Sequence, residues 1–168
     1  MENQADSENA IEARFEEEPL TKLHPNHAIV LRIQAIIASI PFIAAAVGLE
    51  TLSPFAKGVI IGPVAILALI AILRIPMRRH LARGYTMGDD RLRVVRGILF
   101  HHDTVVPFGR VQHIDVNQGP LERYFGIATL TLHTAGTHNA SVTLPGLEEQ
   151  LARDMREEIR SHIKREAL

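Results

Sequence analysis

The sequence contains no cysteine among its 168 residues. Disulfide bonds, zinc sites with thiolate ligands and a cysteine nucleophile are therefore excluded. The chain also lacks the phosphate-binding loop, the Gly-x-Gly-x-x-Gly turn, the His-Glu-x-x-His helix and the Gly-x-Ser-x-Gly elbow, which mark common enzyme classes. We therefore expect a protein that is not an enzyme and that binds no cofactor.

The C-terminal half lacks the excess of basic charge that a nucleic-acid-binding face shows. Residues 84–168 carry ten basic and eleven acidic side chains, so we expect no nucleic acid among the partners. The N-terminus lacks the apolar stretch of a signal peptide. Instead, residues 1–28 carry seven acidic and two basic side chains with little to bury, which predicts a disordered tail.

The sequence contains two long apolar runs in its N-terminal half. Residues 29–49 are apolar apart from polar groups near their start, and a helix of that length spans about 30 Å, the thickness of the hydrocarbon core. Residues 58–75 form a second apolar run, with Arg74 as its one charge. The alternative is a pair of buried core helices, but the small remaining domain could not cover two helices that are apolar all round. We therefore predict a hairpin of two transmembrane helices within residues 29–83.

Basic residues are distributed unevenly around this hairpin. Arg74, Arg78, Arg79 and Arg83 follow the second apolar run, whereas the connecting loop holds Lys57 as its single basic residue. The positive-inside rule then predicts that both termini are cytoplasmic. We expect the same four arginines to contact anionic membrane lipid, where each basic residue contributes about 1 kcal/mol.

The periodicity changes from residue 84 onwards. Short segments with alternating apolar residues, such as 91–96 and 127–136, are separated by Gly, Pro and Asp turns about every ten residues, which predicts a small antiparallel barrel or sandwich. One amphipathic helix then ends the chain. We expect its apolar stripe to cap the open end of the strands; the stripe comprises Leu147, Leu151, Met155, Ile159 and Ile163.

Several short motifs occur in a fixed order across this region. They are Tyr85, Asp89-Asp90, Arg96-Gly97, Val106-Pro107, Arg110-Val111-Gln112, Gln118-Gly119-Pro120, Arg123, Phe125-Gly126 and Thr134-Ala135-Gly136. In this order they resemble the bacterial PH-like family known as domain of unknown function 304, or bacterial PH domain 2, over residues 84–165. The resemblance implies an α+β fold, with a two-helix anchor followed by a PH-like barrel or sandwich and a C-terminal helix. It also implies a multi-pass protein of the bacterial inner membrane, and the family has no established biochemical activity.

The polar residues around the Gly119-Pro120 turn are the candidate site. They are Arg110, Gln112, Gln118, Arg123 and Tyr124. Two interpretations remain open: the set forms a docking edge for a ligand or protein, or it holds an irregular corner by hydrogen bonds to the backbone. We expect no metal site, because neighbouring histidines such as His101 and His102 would point to opposite faces of a strand.

Two functions are compatible with these features. The first is a membrane-anchored interaction module that binds a protein partner or a second copy of itself at the cytoplasmic face. The alternative is a protein that binds lipid or a small ligand with the hairpin and the domain together. Recognition of phosphoinositides rests on fold analogy alone.

Overall fold

The computed structural model describes residues 19–52, 57–98, 100–135 and 141–166. The acidic stretch from residue 2 to residue 18 therefore lies outside the described residues. The described chain forms, in order, strand β1 (Thr21–Lys22), helix α1 (Asn26–Leu52), helix α2 (Ile61–Leu81), β2 (Arg83–Met87), β3 (Arg91–Arg96), β4 (His102–Pro107), a 3-10 turn (Phe108–Arg110), β5 (Val111–Asn117), short helix α3 (Pro120–Tyr124), β6 (Ile127–Thr134), β7 (Ser141–Glu148) and terminal helix α4 (Glu149–Glu166).

Helices α1 and α2 pack against each other as a hairpin and turn apolar side chains outwards. Only 6% of the most apolar stretch of each helix is buried, and both helices are long and apolar enough to cross a membrane. A core helix of a soluble domain would instead be mostly covered. The predicted pair of apolar helices is confirmed, but α2 begins later than predicted and continues to Leu81.

The carboxylate of Glu50 links the two helices at the end of the hairpin where α1 connects to α2. It accepts hydrogen bonds from the backbone N–H groups of Gly58, Ile60 and Ile61, the last at 2.9 Å. These N–H groups lie at the start of α2, where no carbonyl of the preceding turn is available to accept them. The single acidic residue of the apolar region therefore caps the second helix from the end of the first.

The strands form two antiparallel sheets, with strand orders β1-β2-β3-β4 and β5-β6-β7. The α+β class and the sandwich arrangement are confirmed. The closed barrel is not, because among the described strands β4 and β5 each form the edge of a separate sheet. Strand β1 precedes the hairpin and β2 follows it, yet Thr21 pairs with Tyr85 and Lys22 with Gly84. The two ends of the hairpin therefore lie on the same side.

Terminal helix α4 packs on sheet β5-β6-β7 and on the 3-10 turn. Met155 and Ile159 are buried and Ile163 is partly buried, as predicted, but Leu151 is 40% exposed and Ala152 takes its place in the core. Each helical residue advances about 100°, so Ala152 lies about 20° from Ile159 and Leu151 about 80° away. The prediction that Leu151 belongs to the buried stripe was therefore wrong.

Residues just before α1 belong to the folded domain. Leu23 is buried in its core, and the His24 N–H donates to the Gly146 carbonyl at 2.8 Å. The side chain of Asn26 donates to the Phe125 carbonyl at 2.9 Å. The ordered structure thus extends into the last residues of the segment 1–28 for which we predicted a disordered tail, and it attaches the hairpin to the domain at both ends.

Candidate functional site

The corner after β5 is held by two polar side chains. Gln118 donates from Nε2 to the Ile127 carbonyl at 2.9 Å. Glu122 accepts the Gly119 N–H and the Thr129 hydroxyl, each at 2.8 Å. Gln118 thus links the start of the corner to β6. Glu122 caps α3, because its carboxylate accepts an N–H that the helix leaves unbonded.

Arg123 and Tyr124 lie on the outer side of the same corner. Both side chains are exposed, Tyr124 to 83%, and its ring stands edge-on to that of Phe125 at 5.1 Å. Within the described residues, Arg123 donates no side-chain hydrogen bond; its charge instead faces Glu149. The pKa of Glu149 lies below its usual value, chiefly because Gln118 donates a hydrogen bond to it and secondarily because of Arg153.

Arg110 and Gln112 lie at the opposite end of β5 from Gln118. A strand rises about 3.3 Å per residue, which separates Arg110 from Gln118 by about 25 Å. Gln112 is exposed at a register irregularity between Val111 and His113. The five predicted residues therefore form two separate groups, the corner and the start of β5, and do not converge on one ligand.

Arg110 borders a cleft along the outer edge of β4. The cleft has a volume of about 230 Å³ and runs between β4 and the facing ends of β6 and β7. Val105, on β4, is 41% exposed beside it. The lining residues are Thr104, Val105, Val106, Pro107, Arg110, Thr134, Ala135 and Val142.

The four predicted membrane-contact arginines also separate into two groups. Arg74 and Arg78 are exposed on the last turns of α2. Arg79 and Arg83 instead line a groove together with Arg96, a residue that was not predicted. Arg96 lies directly opposite Arg83 on the neighbouring strand, and this register could not be read from the sequence.

Arg83 also belongs to a partly buried cluster at the base of the hairpin. Its Nη1 lies 3.4 Å from Nε2 of His27, a ring that is only 3% exposed and whose centroid is 6.0 Å from that of His80. Burial, and then the charges of Arg79 and Arg96, lower the pKa of the Arg83 guanidinium. The cluster joins the first turn of α1 to the last turn of α2.

Two histidines meet on the outer face of the second sheet. His113 and His133 are cross-strand neighbours, and both rings approach Asp115, at 3.0 Å and 3.2 Å respectively. Across the residues that the structure describes, no group of three His, Asp or Glu side chains is placed to hold a metal ion.

Comparison with known proteins matches both the hairpin and the domain. A family model described as a bacterial PH domain matches residues 35–163. The transmembrane protein YdbS of Bacillus subtilis (strain 168) is 30% identical over 149 residues, which cover 85% of this chain and 92% of that relative. No solved structure gives a significant match.

Proposed function

Because this chain belongs to the bacterial PH domain family, we propose that it is a non-enzymatic interaction module that is anchored in the cytoplasmic membrane and binds a protein partner through its folded domain. The observation that carries this proposal is the outer edge of β4, which pairs with no other described strand and ends its sheet beside an open cleft. An edge strand presents a row of backbone N–H and C=O groups that can pair with another chain.

The chemistry of this edge favours a short extended segment of the partner. From Thr104 to Pro107 the strand carries no charge, and Pro107 ends it, so only a few residues can pair there. Arg110 stands at one end of the cleft and offers a guanidinium to a carboxylate. We therefore expect a partner segment that combines apolar residues with an acidic one.

The orientation within the membrane is also part of the proposal. The pairing of β1 with β2 keeps both ends of the hairpin beside the domain. Arg74, Arg78 and Arg79 stand at that same end of α2, and the positive-inside rule assigns such an end to the cytoplasm. A partner at the β4 edge would therefore be a cytoplasmic protein or the cytoplasmic part of another membrane protein.

Photo-crosslinking in native membranes tests this proposal. A photoreactive residue replaces Val105 in the full chain, and a matched control replaces Glu158 on the exposed side of α4. We expect one discrete protein adduct from position 105 that is absent from position 158 and is lost in the Arg110→Glu variant. An adduct of twice the chain's mass would identify a second copy as the partner, whereas equal labelling from both positions would contradict the proposal.

A further inference from the structure

A groove lies where helix α2 meets the turn between β3 and β4. Its volume is about 650 Å³, and its walls come from two stretches of the chain that are distant in sequence. Arg79 and Ile75 come from α2, Arg83 from the start of β2, and Arg96 and Phe100 from the β3–β4 turn region. The groove therefore lies at the level where α2 leaves the apolar part of the hairpin.

The positive charge of this groove is not neutralised by the surrounding protein. Arg83 and Arg96 are direct cross-strand partners, an arrangement that is destabilising for like charges. Arg79 lies close enough to act on Arg83 electrostatically. In the described ranges, no carboxylate lies within ion-pair distance of any of the three guanidinium groups. A bound anion would relieve this repulsion.

The same groove continues into an apolar cleft between the two helices. The second cleft, of about 210 Å³, shares Ile75 and Arg79 with the first, and on α1 it is lined by three apolar residues and one polar residue: Leu31, Ala35, Ala38 and Gln34. Phe100 is 78% exposed at the other side of the groove and adds an apolar surface there. Cationic and apolar surfaces are thus joined in the order in which a phospholipid joins its headgroup to its acyl chains.

We propose that this groove binds one anionic phospholipid, with its phosphate among Arg79, Arg83 and Arg96 and an acyl chain along Ile75 between α1 and α2. Guanidinium groups bind phosphate oxygens through paired, charge-assisted hydrogen bonds, and basic pockets between membrane helices bind lipid headgroups. The site uses a different surface from the β4 edge, so it does not depend on the proposed protein partner.

Native mass spectrometry of the full chain in a neutral detergent tests this inference. The probes are phosphatidylglycerol and, as a zwitterionic lipid of the same acyl chains, phosphatidylcholine. We expect phosphatidylglycerol to bind about tenfold more tightly, and Arg96→Gln or Arg79→Gln to weaken its binding about tenfold, since each removes a charged hydrogen bond. Arg160→Gln, which removes an exposed guanidinium from α4, should leave the affinity unchanged.

Three results would overturn the lipid site. Equal binding of the two lipids would show that charge is not recognised. An equal loss in Arg78→Gln, which lies outside the groove on the same helix, would show diffuse attraction to the basic surface in place of a site. Displacement of the lipid by millimolar inorganic phosphate would show a site for a free anion. Melting temperatures of the Arg79 and Arg96 variants that match the parent chain exclude misfolding as the cause of weaker binding.

Discussion

At the scale of single residues, Gly146 allows close packing between the start of the hairpin and the domain. Its backbone has a φ of 72°, a conformation that disfavours side chains. A Cβ placed there would lie 2.5 Å from Cγ of His27, so the buried imidazole occupies the space that the missing side chain leaves. The absence of one methyl group therefore allows the first turn of α1 to pack on β7.

We predict that Gly146→Ala destabilises the protein more than Gly126→Ala does. Gly126 has a similar φ of 65° but no atom within 4 Å of an added Cβ, so it isolates the backbone cost of about 1–2 kcal/mol. Gly146→Ala adds the overpacking of His27, for a total of roughly 3 kcal/mol or more. Chemical unfolding of the full chain in detergent measures both. Equal losses, or no relief of the Gly146→Ala loss in a His27→Ala background, would contradict the packing role.

Some residues of the candidate site could be predicted from the sequence, and others could not. Gln118 was predicted as a corner residue, and a polar side chain next to a Gly-Pro turn is a readable signal. Glu122 and Arg96 were not predicted, because their importance depends on partners that only the fold provides: the Thr129 hydroxyl for Glu122, and Arg83 across the strand pair for Arg96.

At the scale of elements, helix α4 contributes one apolar face to the core of the domain. Met155 and Ile159 are nearly fully buried, and Phe108 of the 3-10 turn packs beside His162 with ring centroids 5.6 Å apart. Leu151 lies off this face. The helix therefore closes the space beside sheet β5-β6-β7 with only part of the stripe that its sequence presents.

We predict that Ile159→Ala lowers the free energy of unfolding by about 2–5 kcal/mol, as large-to-small substitutions in cores do. Leu151→Ala, which removes a side chain of the same volume class from an exposed position on the same helix, should change it by about 0.5 kcal/mol or less. Unfolding of the two full-length variants in the same detergent provides the comparison. A loss at Leu151 as large as that at Ile159 would contradict the observed face of α4.

Strands could be predicted from the sequence where the alternation of apolar and polar residues continues over several residues. The segments 91–96 and 127–136 were expected as strands; the structure has β3 at Arg91–Arg96 and β6 at Ile127–Thr134, so β6 ends two residues earlier than predicted. Strand β1 escaped prediction because its two residues are too few for any alternation. The stripe on α4 was misassigned at Leu151 because a strict four-residue repeat drifts around a helix of 3.6 residues per turn.

At the scale of the whole molecule, the hairpin and the domain are joined on both sides of the helix pair. Strand β1 pairs with β2, Leu23 enters the core, and Asn26 bonds to the corner at Phe125. The exposed end of the hairpin is fixed separately, by Glu50 at the start of α2. The two apolar helices are thus held at each end by contacts in addition to their packing against each other.

We predict that the loop between α1 and α2 faces away from the cytoplasm and that the domain faces it. Because the chain has no cysteine, each introduced thiol is unique. Leu52→Cys, at an 86% exposed position, should react with a membrane-impermeant thiol reagent in intact cells. Ser141→Cys, at the exposed start of β7, should react only after the cells are permeabilised. The opposite labelling pattern would reverse the orientation.

The pairing of β1 with β2 also constrains how the protein is made. The ribosome releases residues 21–22 long before their partners at 84–85, and both apolar helices are synthesised in between. In the proposed orientation, the early strand remains on the ribosome's side of the membrane while the two helices insert, and it pairs only after β2 has been synthesised. Once paired, β1 opposes any inversion of the first helix, because inversion would require pulling a strand out of a finished sheet.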